Sequence, residues 1–223
     1  MKTLSSIRKR RQKKLRPALN NLDQKLEKYL DFDKGFFIEA GANDGYTQSN
    51  TFFLEKKRKW SGILVEGIPE LFEKAKKQRK KSVVYNCALV SREFLEPTVT
   101  MHYAHLMSVV DNSLKSVEEQ NKHIAAGVDV QNLEKSYSVE VPARTLESIL
   151  NELPNLPSID FFSLDVEGYE LNVLQGLNLS KYRPRYILVE ARFFNEVDSF
   201  LKQHNYKMLE KLTVHDFLYS TDC

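Results

Sequence analysis

The stretch from Phe36 to Thr51 constrains the fold of this chain more than any other. It reads F-F-I-E-A-G-A-N-D-G-Y-T-Q-S-N-T. The apolar run at its start, with an acid near its end, predicts a buried parallel strand. Gly41 and Gly45 predict a tight turn that lets the backbone approach a ligand, and Thr47 or Ser49 can cap the helix that follows. Strand, glycine turn and helix start together predict a nucleotide-type pocket at the carboxyl end of a sheet.

The loop after this strand discriminates between nucleotide ligands. The dinucleotide fingerprint G-x-G-x-x-G seats a pyrophosphate on a helix N-terminus, whereas this loop reads G-A-N-D-G. Asp44 is expected where a diphosphate would lie, and a carboxylate there would repel phosphate by about a few kcal/mol in a partly dry site. Asp44 and Glu39 instead favour a ligand with an ammonium and a sulfonium. Glu66, which ends the next predicted strand, is placed to accept hydrogen bonds from two ribose hydroxyls, so the predicted ligand is S-adenosylmethionine rather than NAD.

Four blocks of the sequence carry a resemblance to a known family. Three are F-I-E-A-G-A-N-D-G-Y-T-Q-S-N-T at 37–51, W-S-G-I-L-V-E-G-I-P at 60–69 and I-D-F-F-S-L-D-V-E-G-Y-E-L-N-V-L-Q-G-L at 159–177. The weaker fourth, V-P-A-R-T-L-E-S-I-L at 141–150, leads into the last of these. In this order, over Phe36 to Arg192, they resemble the FkbM-type S-adenosylmethionine-dependent methyltransferases. The ordered set is specific, although each block alone is a weak match.

This resemblance implies a class I, Rossmann-like methyltransferase fold. The alternation of predicted strands and helices also favours an α/β three-layer αβα sandwich with a mostly parallel sheet. The strands expected at Tyr206–Leu212 and His215–Ser220 indicate an antiparallel C-terminal hairpin at the sheet edge. In such folds the third strand contacts adenine through backbone groups at its carboxyl end. The cofactor-binding residues are therefore expected to be Glu39, Gly41, Ala42, Asn43, Asp44, Gly45, Ser49, Glu66, Gly67, Cys87, Ala88 and Asp165.

The last block places acids directly after another apolar strand, Ile159 to Asp165. Asp165 and Glu167 are two residues apart, so both point to one face while the chain stays extended. Methyl transfer to an alcohol requires that the hydroxyl proton leave as attack begins, and a positioned carboxylate contributes about 10²–10⁴-fold. Asp165, with Glu167 beside it, is therefore expected to position the acceptor or act as base. Glu170 is interpreted as a cap of the turn and of the first helical turn.

A metal is the alternative use of these two acids. Mg²⁺ takes oxygen ligands, often only one or two of them from protein, and some sugar O-methyltransferases of related fold use such a metal. Asp165 and Glu167 have no evident third ligand in the sequence, so a metal site is not favoured. Ser163 occupies a position where many members of the resembling family carry lysine, and no lysine-assisted contact with the acceptor is assumed.

The acceptor side of the site is expected in a long polar insertion at 105–136. Long insertions in compact domains are often lids or binding loops, and in the resembling family this region varies and borders the acceptor pocket. The candidate substrate contacts are His102, His105 and Asn112, although a lone histidine is more often a surface or structural residue. Glu190, at the end of the fifth predicted strand, is expected near the acceptor mouth.

The N-terminal end of the chain is strongly basic. Seven of the nine residues from Arg8 to Arg16 are Lys or Arg, and no apolar segment of a secretory signal follows them. Residues 1–16 are interpreted as a solvated arm, with contact to nucleic acid, anionic glycan or a membrane surface as the alternative. Residues 17–223 are expected to form a single methyltransferase domain that begins with an amphipathic helix at 17–30.

Length and composition agree with one globular domain. The chain has 223 residues, enough for a sizeable core, and no apolar run approaches a membrane span. Its two cysteines form no disulfide framework, which favours a reducing, cytoplasmic compartment. A second basic run from Lys74 to Lys81, which includes Arg79, is expected to be the exposed end of a helix, where cations are favoured by the helix dipole.

Three functions of different kinds remain open at this point. The leading one is an O-methyltransferase that acts on a hydroxyl of a sugar or glycoside, with the sugar preference taken from the resemblance alone. An RNA methyltransferase that uses the basic arm is the second. The third is a non-catalytic S-adenosylmethionine-binding module, against which the intact Glu39–Gly45 loop and Glu66 argue. An NAD-dependent oxidoreductase is disfavoured by Asp44.

Overall fold

The fold is known from a computed structural model that describes residues 15–103, 108–110, 118, 122, 125 and 137–221. After a 3₁₀ turn at Leu19–Asn21, its helices are α1 (Leu22–Lys25), α2 (Glu27–Leu30), α3 (Phe52–Lys57), α4 (Pro69–Gln78), α5 (Leu146–Asn151), α6 (Glu170–Gln175) and α7 (Phe194–Gln203). Its strands are β1 (Phe36–Ala40), β2 (Ser61–Glu66), β3 (Val83–Asn86), β4 (Ala88–Leu89), β5 (Thr98–Tyr103), β6 (Val109–Val110), β7 (Tyr137–Arg144), β8 (Phe161–Leu164), β9 (Tyr186–Glu190), β10 (Lys207–Lys211) and β11 (Asp216–Ser220).

A seven-stranded sheet in the order β10-β11-β9-β8-β1-β2-β3 forms the centre of the molecule. The five strands from β3 to β9 in this order pair in parallel. Strand β11 runs antiparallel to both β9 and β10, which makes the C-terminal hairpin. The predicted α/β fold of Rossmann-like, class I type, with a mostly parallel sheet and an antiparallel C-terminal hairpin, is confirmed.

Each face of this sheet is covered by its own set of helices. Side chains alternate along β1, so that Phe37 and Ile38 belong to different hydrophobic clusters. The cluster around Ile38 takes in residues of α5, α6 and α7, and the cluster around Phe37 takes in residues of α1, α2 and α3. All five residues of β1 are buried, as the apolar run predicted. The result is the expected three-layer αβα sandwich.

A second, four-stranded sheet in the order β4-β7-β5-β6 lies beyond the carboxyl end of β3. This second sheet was not predicted from the sequence. Strands β4 and β6 have only two residues each, too few for an alternation of polar and apolar residues to be recognised. A third cluster, which includes Ile68, Leu71, Met101 and Val141, joins this sheet to α4.

Two predicted segments differ from the structure or fall outside it. The single helix predicted at 17–30 is instead three short helical pieces. The first is separated from the second by Asn20 and Asn21, which have left-handed backbone angles with φ of 52° and 55°. The predicted insertion at 105–136 lies mostly outside the described residues, as do residues 1–14 of the basic arm. Within the described part of the chain, no helix combines the length and the apolar character needed to cross a bilayer.

Candidate functional site

A cavity of about 910 Å³, counted with its opening to solvent, lies at the carboxyl ends of β1, β2, β3 and β8. Because β2 and β8 lie on either side of β1, this is the point where the strand order reverses, and open α/β sheets bind ligands at such switch points. All of the predicted cofactor residues line the cavity except Asp44 and Gly45. The structure therefore brings together residues that are more than 120 positions apart in the sequence, such as Glu39 and Asp165.

Two glycines leave backbone exposed to the cavity where a side chain would not fit. Gly41 has φ of +79°, and a Cβ there would lie 1.7 Å from the carbonyl oxygen of Asp165. A Cβ on Gly67 would lie 2.1 Å from the Met101 sulfur. Gly41 therefore lets the loop after β1 pack directly on the loop after β8, and Gly67 lets β2 end against the second sheet.

Glu66 is a buried carboxylate held by backbone N–H groups. Asn43 N–H donates to one of its oxygens at 2.7 Å and Ile68 N–H to the other at 2.8 Å. Burial raises the pKa of Glu66 to about 7, and these N–H groups oppose the rise. Each carboxylate oxygen has a second lone pair, so Glu66 is able to accept two further hydrogen bonds from a ligand.

Arg79 is a residue of the site that the sequence analysis misplaced. The basic run from Lys74 to Lys81 predicted it to be exposed, but it is fully buried. Its guanidinium donates to Glu55 at 2.9 Å and to Glu39 at 3.1 Å. It also bonds the Ser49 hydroxyl, the Thr51 hydroxyl and the Gly45 carbonyl oxygen. Arg79 therefore ties the loop between β1 and α3 to the end of α4.

This arginine changes the role predicted for Glu39. One oxygen of Glu39 accepts from Arg79 and Thr51, while the other accepts from Asn50 N–H, and the Ser49 hydroxyl lies 2.9 Å from both. Glu39 lines the cavity, but its charge is compensated within the protein. The negative charge that was expected to favour a cationic ligand is therefore paired with an arginine of the protein.

Asp44 also differs from its prediction. It does not line the cavity, and its carboxylate accepts from the N–H groups of Tyr46 and Thr47 at 2.9 and 2.6 Å and from the Thr47 hydroxyl at 2.9 Å. These are bonds of an Asx-type turn. Gly45 likewise lies outside the lining, where a Cβ would meet Ala75 and Arg79. The placement of Asp44 in the cavity, on which the diphosphate argument rested, is therefore wrong. Its carboxylate shapes the loop, and its negative charge contributes to the raised pKa of Glu66.

Asp165 lies between the cavity and a second acid. The register Leu164↔Val189 puts the residue after β8 beside Glu190, and the two side chains are hydrogen-bonded. Burial, and then the negative charge of Glu190, raise the pKa of Asp165 well above its usual range. Asp165 lines the cavity and Glu190 does not. Glu190, predicted at the acceptor mouth, therefore reaches the site as the partner of Asp165.

Glu167 sits in a turn rather than on an extended chain. Its φ is +55°, and that of Gly168 is +102°, so the assumption that Asp165 and Glu167 share one face of a strand does not hold. Glu167 still lines the cavity, and Arg192 donates to it at 2.7 Å. Burial raises the pKa of Glu167, and the Arg192 cation opposes this rise.

The turn after β8 is closed by Glu170. One of its oxygens accepts from Gly168 N–H at 2.8 Å and from Val166 N–H at 3.3 Å. Its interpretation as a cap of this turn is therefore confirmed. Burial raises the pKa of Glu170 to about 7, against the effect of these N–H groups.

The remaining predicted residues are less closely tied to the cavity. Nδ1 of His102 on β5 lies 2.9 Å from the Ser138 hydroxyl, and His102 is not in the lining. His105 and Asn112 lie outside the described residues. Cys87 lines the cavity as a buried thiol whose pKa is raised to about 12 by burial. Among the described side chains, no group of three or more His, Cys, Asp and Glu is arranged to hold a metal.

Several lining residues were not predicted. Asn50 donates to the Ser163 hydroxyl at 3.1 Å across the mouths of β1 and β8, and both residues line the cavity. Met101 and Val110 reach it from the second sheet. The position of Asn50 next to Ser49 was a usable signal, whereas nothing local to Met101 or Val110 indicates a ligand.

The lining is acidic. In the part that the structure describes it contains four carboxylates, those of Glu39, Glu66, Asp165 and Glu167, and no Lys, Arg or His. Only two of the four are paired with arginines, Glu39 with Arg79 and Glu167 with Arg192. Such a lining raises the local concentration of cations and repels anions.

Comparison with known proteins was made by sequence and by structure. The family model described as "Methyltransferase FkbM domain" matches residues 39–208. A curated relative, "Methyltransferase 1" of Beauveria bassiana (strain ARSEF 2860), is 29% identical over 161 residues, which are 66% of this chain and 59% of the relative. The match therefore spans less than two thirds of the length of that relative.

Solved structures of S-adenosylmethionine-dependent and other methyltransferases align with most of the chain. A TehB-like SAM-dependent methyltransferase from Corynebacterium glutamicum aligns at 8% identity and a TM-score of 0.44, over 89% of this chain and 85% of that one. A SAM-dependent methyltransferase from Aquifex aeolicus aligns at 11% identity and 0.46, over 99% and 98%. A precorrin-6y C5,15-methyltransferase from Geobacter metallireducens aligns at 10% identity and 0.47, over 93% and 91%.

Proposed function

We propose, from the premise that this chain belongs to the FkbM methyltransferase family, that it transfers a methyl group from S-adenosylmethionine to a hydroxyl of a sugar or glycoside. The observation that carries the proposal is the cavity, whose described lining holds two carboxyl groups without an arginine partner, those of Glu66 and Asp165, and no cationic side chain. S-adenosylmethionine has a sulfonium and an ammonium, which this lining favours, whereas the diphosphate of NAD would be repelled. The sugar preference comes from the family resemblance.

The cavity has the features that this cofactor needs. Glu66 retains two acceptor positions for the ribose hydroxyls. Gly41 and Gly67 let the ends of β1 and β2 pack closely against Asp165 and Met101 at the cavity, and Cys87 and Ala88, at the end of β3, line the cavity where adenine would bind. When bound, S-adenosylmethionine supplies an activated methyl group on a positively charged sulfur.

The residues of this chain would act on the acceptor. Asp165 lines the cavity and acts as the base when the proton that it shares with Glu190 rests on Glu190. Asp165 then takes the proton of the acceptor hydroxyl as the oxygen attacks the methyl carbon and the sulfur leaves as a neutral thioether. A carboxylate with a raised pKa is a better base than an exposed one, and burial raises the pKa of Asp165. Glu190, hydrogen-bonded to Asp165 on the side away from the cavity lining, shares the proton. Glu167, fixed by Arg192, borders the same space and positions the acceptor.

A Mg²⁺ ion between Asp165 and Glu167 is not part of this proposal. Asp165 is already hydrogen-bonded to Glu190 and Glu167 already bonds the Arg192 guanidinium. A metal at this position would have to displace both partners. Turnover in the presence of a chelator tests this point directly, since a metal-independent enzyme keeps its rate.

The proposal is tested by calorimetry followed by a turnover screen. S-adenosylmethionine and its demethylated product are expected to bind, and NAD is not. A labelled methyl donor is then offered with sugars, glycosides and RNA, and label is expected on a sugar hydroxyl. Tighter binding of NAD than of S-adenosylmethionine would refute the cofactor, and labelling of RNA alone would refute the acceptor. The reducing, cytoplasmic setting predicted from the cysteines is proposed with this function.

A further inference from the structure

We infer that a lysine-rich surface opposite the cavity docks this protein on an anionic lipid membrane. The surface consists of six exposed lysines that form no ion pair with a described residue. They are Lys57, Lys59, Lys74, Lys77, Lys80 and Lys81. The inference concerns a face that the proposed methyl transfer does not use, and its test reads binding rather than turnover.

The topology places these lysines together. Lys59 comes just before β2, and Lys81 just before β3. These strands are parallel neighbours, with Ile63 opposite Val83, so their amino ends lie side by side. The ends of the two preceding helices also touch, because the Lys56 ammonium of α3 donates to the Gln78 carbonyl oxygen of α4 at 2.8 Å. The lysine surface is therefore one continuous patch at the amino edge of the sheet.

The charge of this patch exceeds what the fold requires. The six lysines carry a charge of +6 in a chain whose total is +3, so the rest of the chain carries −3. A helix dipole favours cations in the last helical turn, but Lys59, Lys80 and Lys81 lie beyond the helix ends. Since crowded like charges destabilise a compact state, a bound anionic surface would relieve the repulsion.

A membrane fits this patch better than a nucleic acid does. The patch lies at the edge of the sheet opposite the cavity, about 17 Å away along the five residues of β1, so a nucleic acid bound here would not be presented to the cavity. Binders of single-stranded nucleic acids add aromatic side chains that stack on bases, whereas Trp60, the aromatic residue between Lys59 and β2, is buried. Lysine ammoniums are compact point charges suited to diffuse attraction by anionic headgroups.

The neighbouring surface supports the same orientation. Val83, two residues after Lys81, is 49% exposed at the start of the edge strand β3, and an apolar side chain among lysines suits the headgroup region of a bilayer. Anionic lipids are concentrated in the cytoplasmic leaflet. A protein docked through the lysine surface would turn its cavity toward the solution.

The test measures partition of the full chain onto vesicles of neutral phosphatidylcholine, with and without phosphatidylserine. Wild-type protein is expected to bind only the anionic vesicles and to be released by salt. The patch variant changes Lys74, Lys77, Lys80 and Lys81 to Gln, and its partition coefficient is expected to fall at least about 100-fold. A control variant with the same charge change, at the exposed Lys181, Lys202, Lys207 and Lys211, is expected to stay within about threefold of wild type.

The other outcomes overturn the inference. Equal losses in the two variants would mean that net charge and not this surface governs binding. Wild-type protein that ignores anionic vesicles, or that loses binding only when the arginines and lysines of 8–16 are neutralised, would also overturn it. Patch-dependent binding of an RNA oligonucleotide in preference to vesicles would assign the surface to nucleic acid. Thermal melting and S-adenosylmethionine binding of each variant show that it is folded.

Discussion

At the level of single residues, Glu66 gives the clearest test of cofactor recognition. Changing Glu66 to Gln replaces a charged acceptor by a neutral one, which weakens each ligand hydrogen bond by roughly 1 kcal/mol, or about fivefold or more in affinity. The pKa of Glu66 is raised to about 7, so wild-type affinity for S-adenosylmethionine is expected to rise between pH 6 and 8 as the carboxylate ionises. Calorimetry should show no such rise in the variant.

The control for this experiment is Glu73→Gln, a change of the same kind on the exposed face of α4. It is expected to bind S-adenosylmethionine as the wild type does at every pH. A Glu66→Gln variant that keeps full affinity and the same pH dependence would contradict the assignment of Glu66 to the ribose.

Replacing Asp165 is expected to lower turnover without weakening the binding of S-adenosylmethionine. Asp165→Asn removes the base but keeps the shape of the side chain, so S-adenosylmethionine affinity should stay within about threefold while kcat falls about 10²-fold or more. Glu190→Gln should lower kcat less, because Glu190 acts through Asp165 and is not in the cavity lining. Calorimetry and labelled methyl transfer on the same preparations measure both quantities. Full turnover by Asp165→Asn would remove Asp165 from the mechanism.

The residues that the sequence predicted are those whose role follows from their own backbone position. Gly41 follows an apolar strand, and the structure indeed gives it a positive φ and a close neighbour in Asp165. Arg79 could not be found in this way, because its partners Glu39 and Thr51 are 40 and 28 residues distant. The lysines around Arg79 in the sequence instead predicted that it would be exposed to solvent. Asp44 was placed in the cavity because the sequence does not show that its own turn uses its carboxylate.

At the level of elements, Arg79 holds the loop between β1 and α3 against the end of α4. Arg79→Met would leave Glu39 buried without a cation and Glu55 with Lys56 alone, and breaking a buried pair in this way destabilises by about 3–5 kcal/mol. Arg79→Lys keeps the charge but loses the planar fork, so a smaller loss is expected. Denaturant unfolding measures both.

A compensating variant distinguishes charge from packing in this cluster. If the penalty of Arg79→Met comes from the loss of the arginine charge beside the two buried acids, adding Glu39→Gln and Glu55→Gln should recover at least about 1 kcal/mol of it. No recovery would mean that the bonds of Arg79 to Thr51 and the Gly45 carbonyl matter more than its charge.

Ionisation of the buried Glu170, in the turn between β8 and α6, is expected to lower the stability of the protein as pH rises. Its folded-state pKa is raised to about 7, so the stability it contributes is full below its unfolded pKa of about 4.3 and is lost as pH rises through 7. Glu170→Gln keeps an oxygen for the Gly168 and Val166 N–H groups without a charge. The variant should match the wild type at pH 4.5 and exceed it by about 1–3 kcal/mol at pH 8. A pH-independent difference in thermal unfolding would contradict this account.

Element types followed from the sequence more readily than element continuity. The run Phe36–Ala40 forms a buried strand, as predicted. The N-terminal helix was overestimated, because leucine spacing predicts a helical face but does not reveal the left-handed Asn20 and Asn21. The two-residue strands β4 and β6 carry no pattern at all and exist because the longer β5 and β7 pair with them.

At the level of the whole molecule, the alternation of strands and helices was enough to predict the layers but not the strand order. The antiparallel hairpin at the sheet edge was predicted, but the position of β11 between β9 and β10 was not. The polar insertion gave no local signal of structure, and most of it lies outside the described residues. What physical patterning alone supplied was the position of the cavity, because the strands that end in Glu66 and Asp165 are parallel and open at the same edge of the sheet.

The N-terminal segment contributes to the fold of the whole domain although it precedes the first strand. Leu26 is 1% exposed in the cluster that packs on Phe37 and Leu64 of the central strands, whereas Leu19 is 50% exposed. Leu26→Ala is therefore expected to destabilise by about 2–4 kcal/mol through lost burial and a cavity, which lowers the melting temperature by about 5–15 °C. Leu19→Ala, the same change seven residues earlier, should shift it by less than about 2 °C. A segment that completes the core on one face of the sheet should lose much more stability from the buried Leu26→Ala than from the exposed Leu19→Ala. Equal shifts in melting temperature would mean that the segment does not contribute to the core.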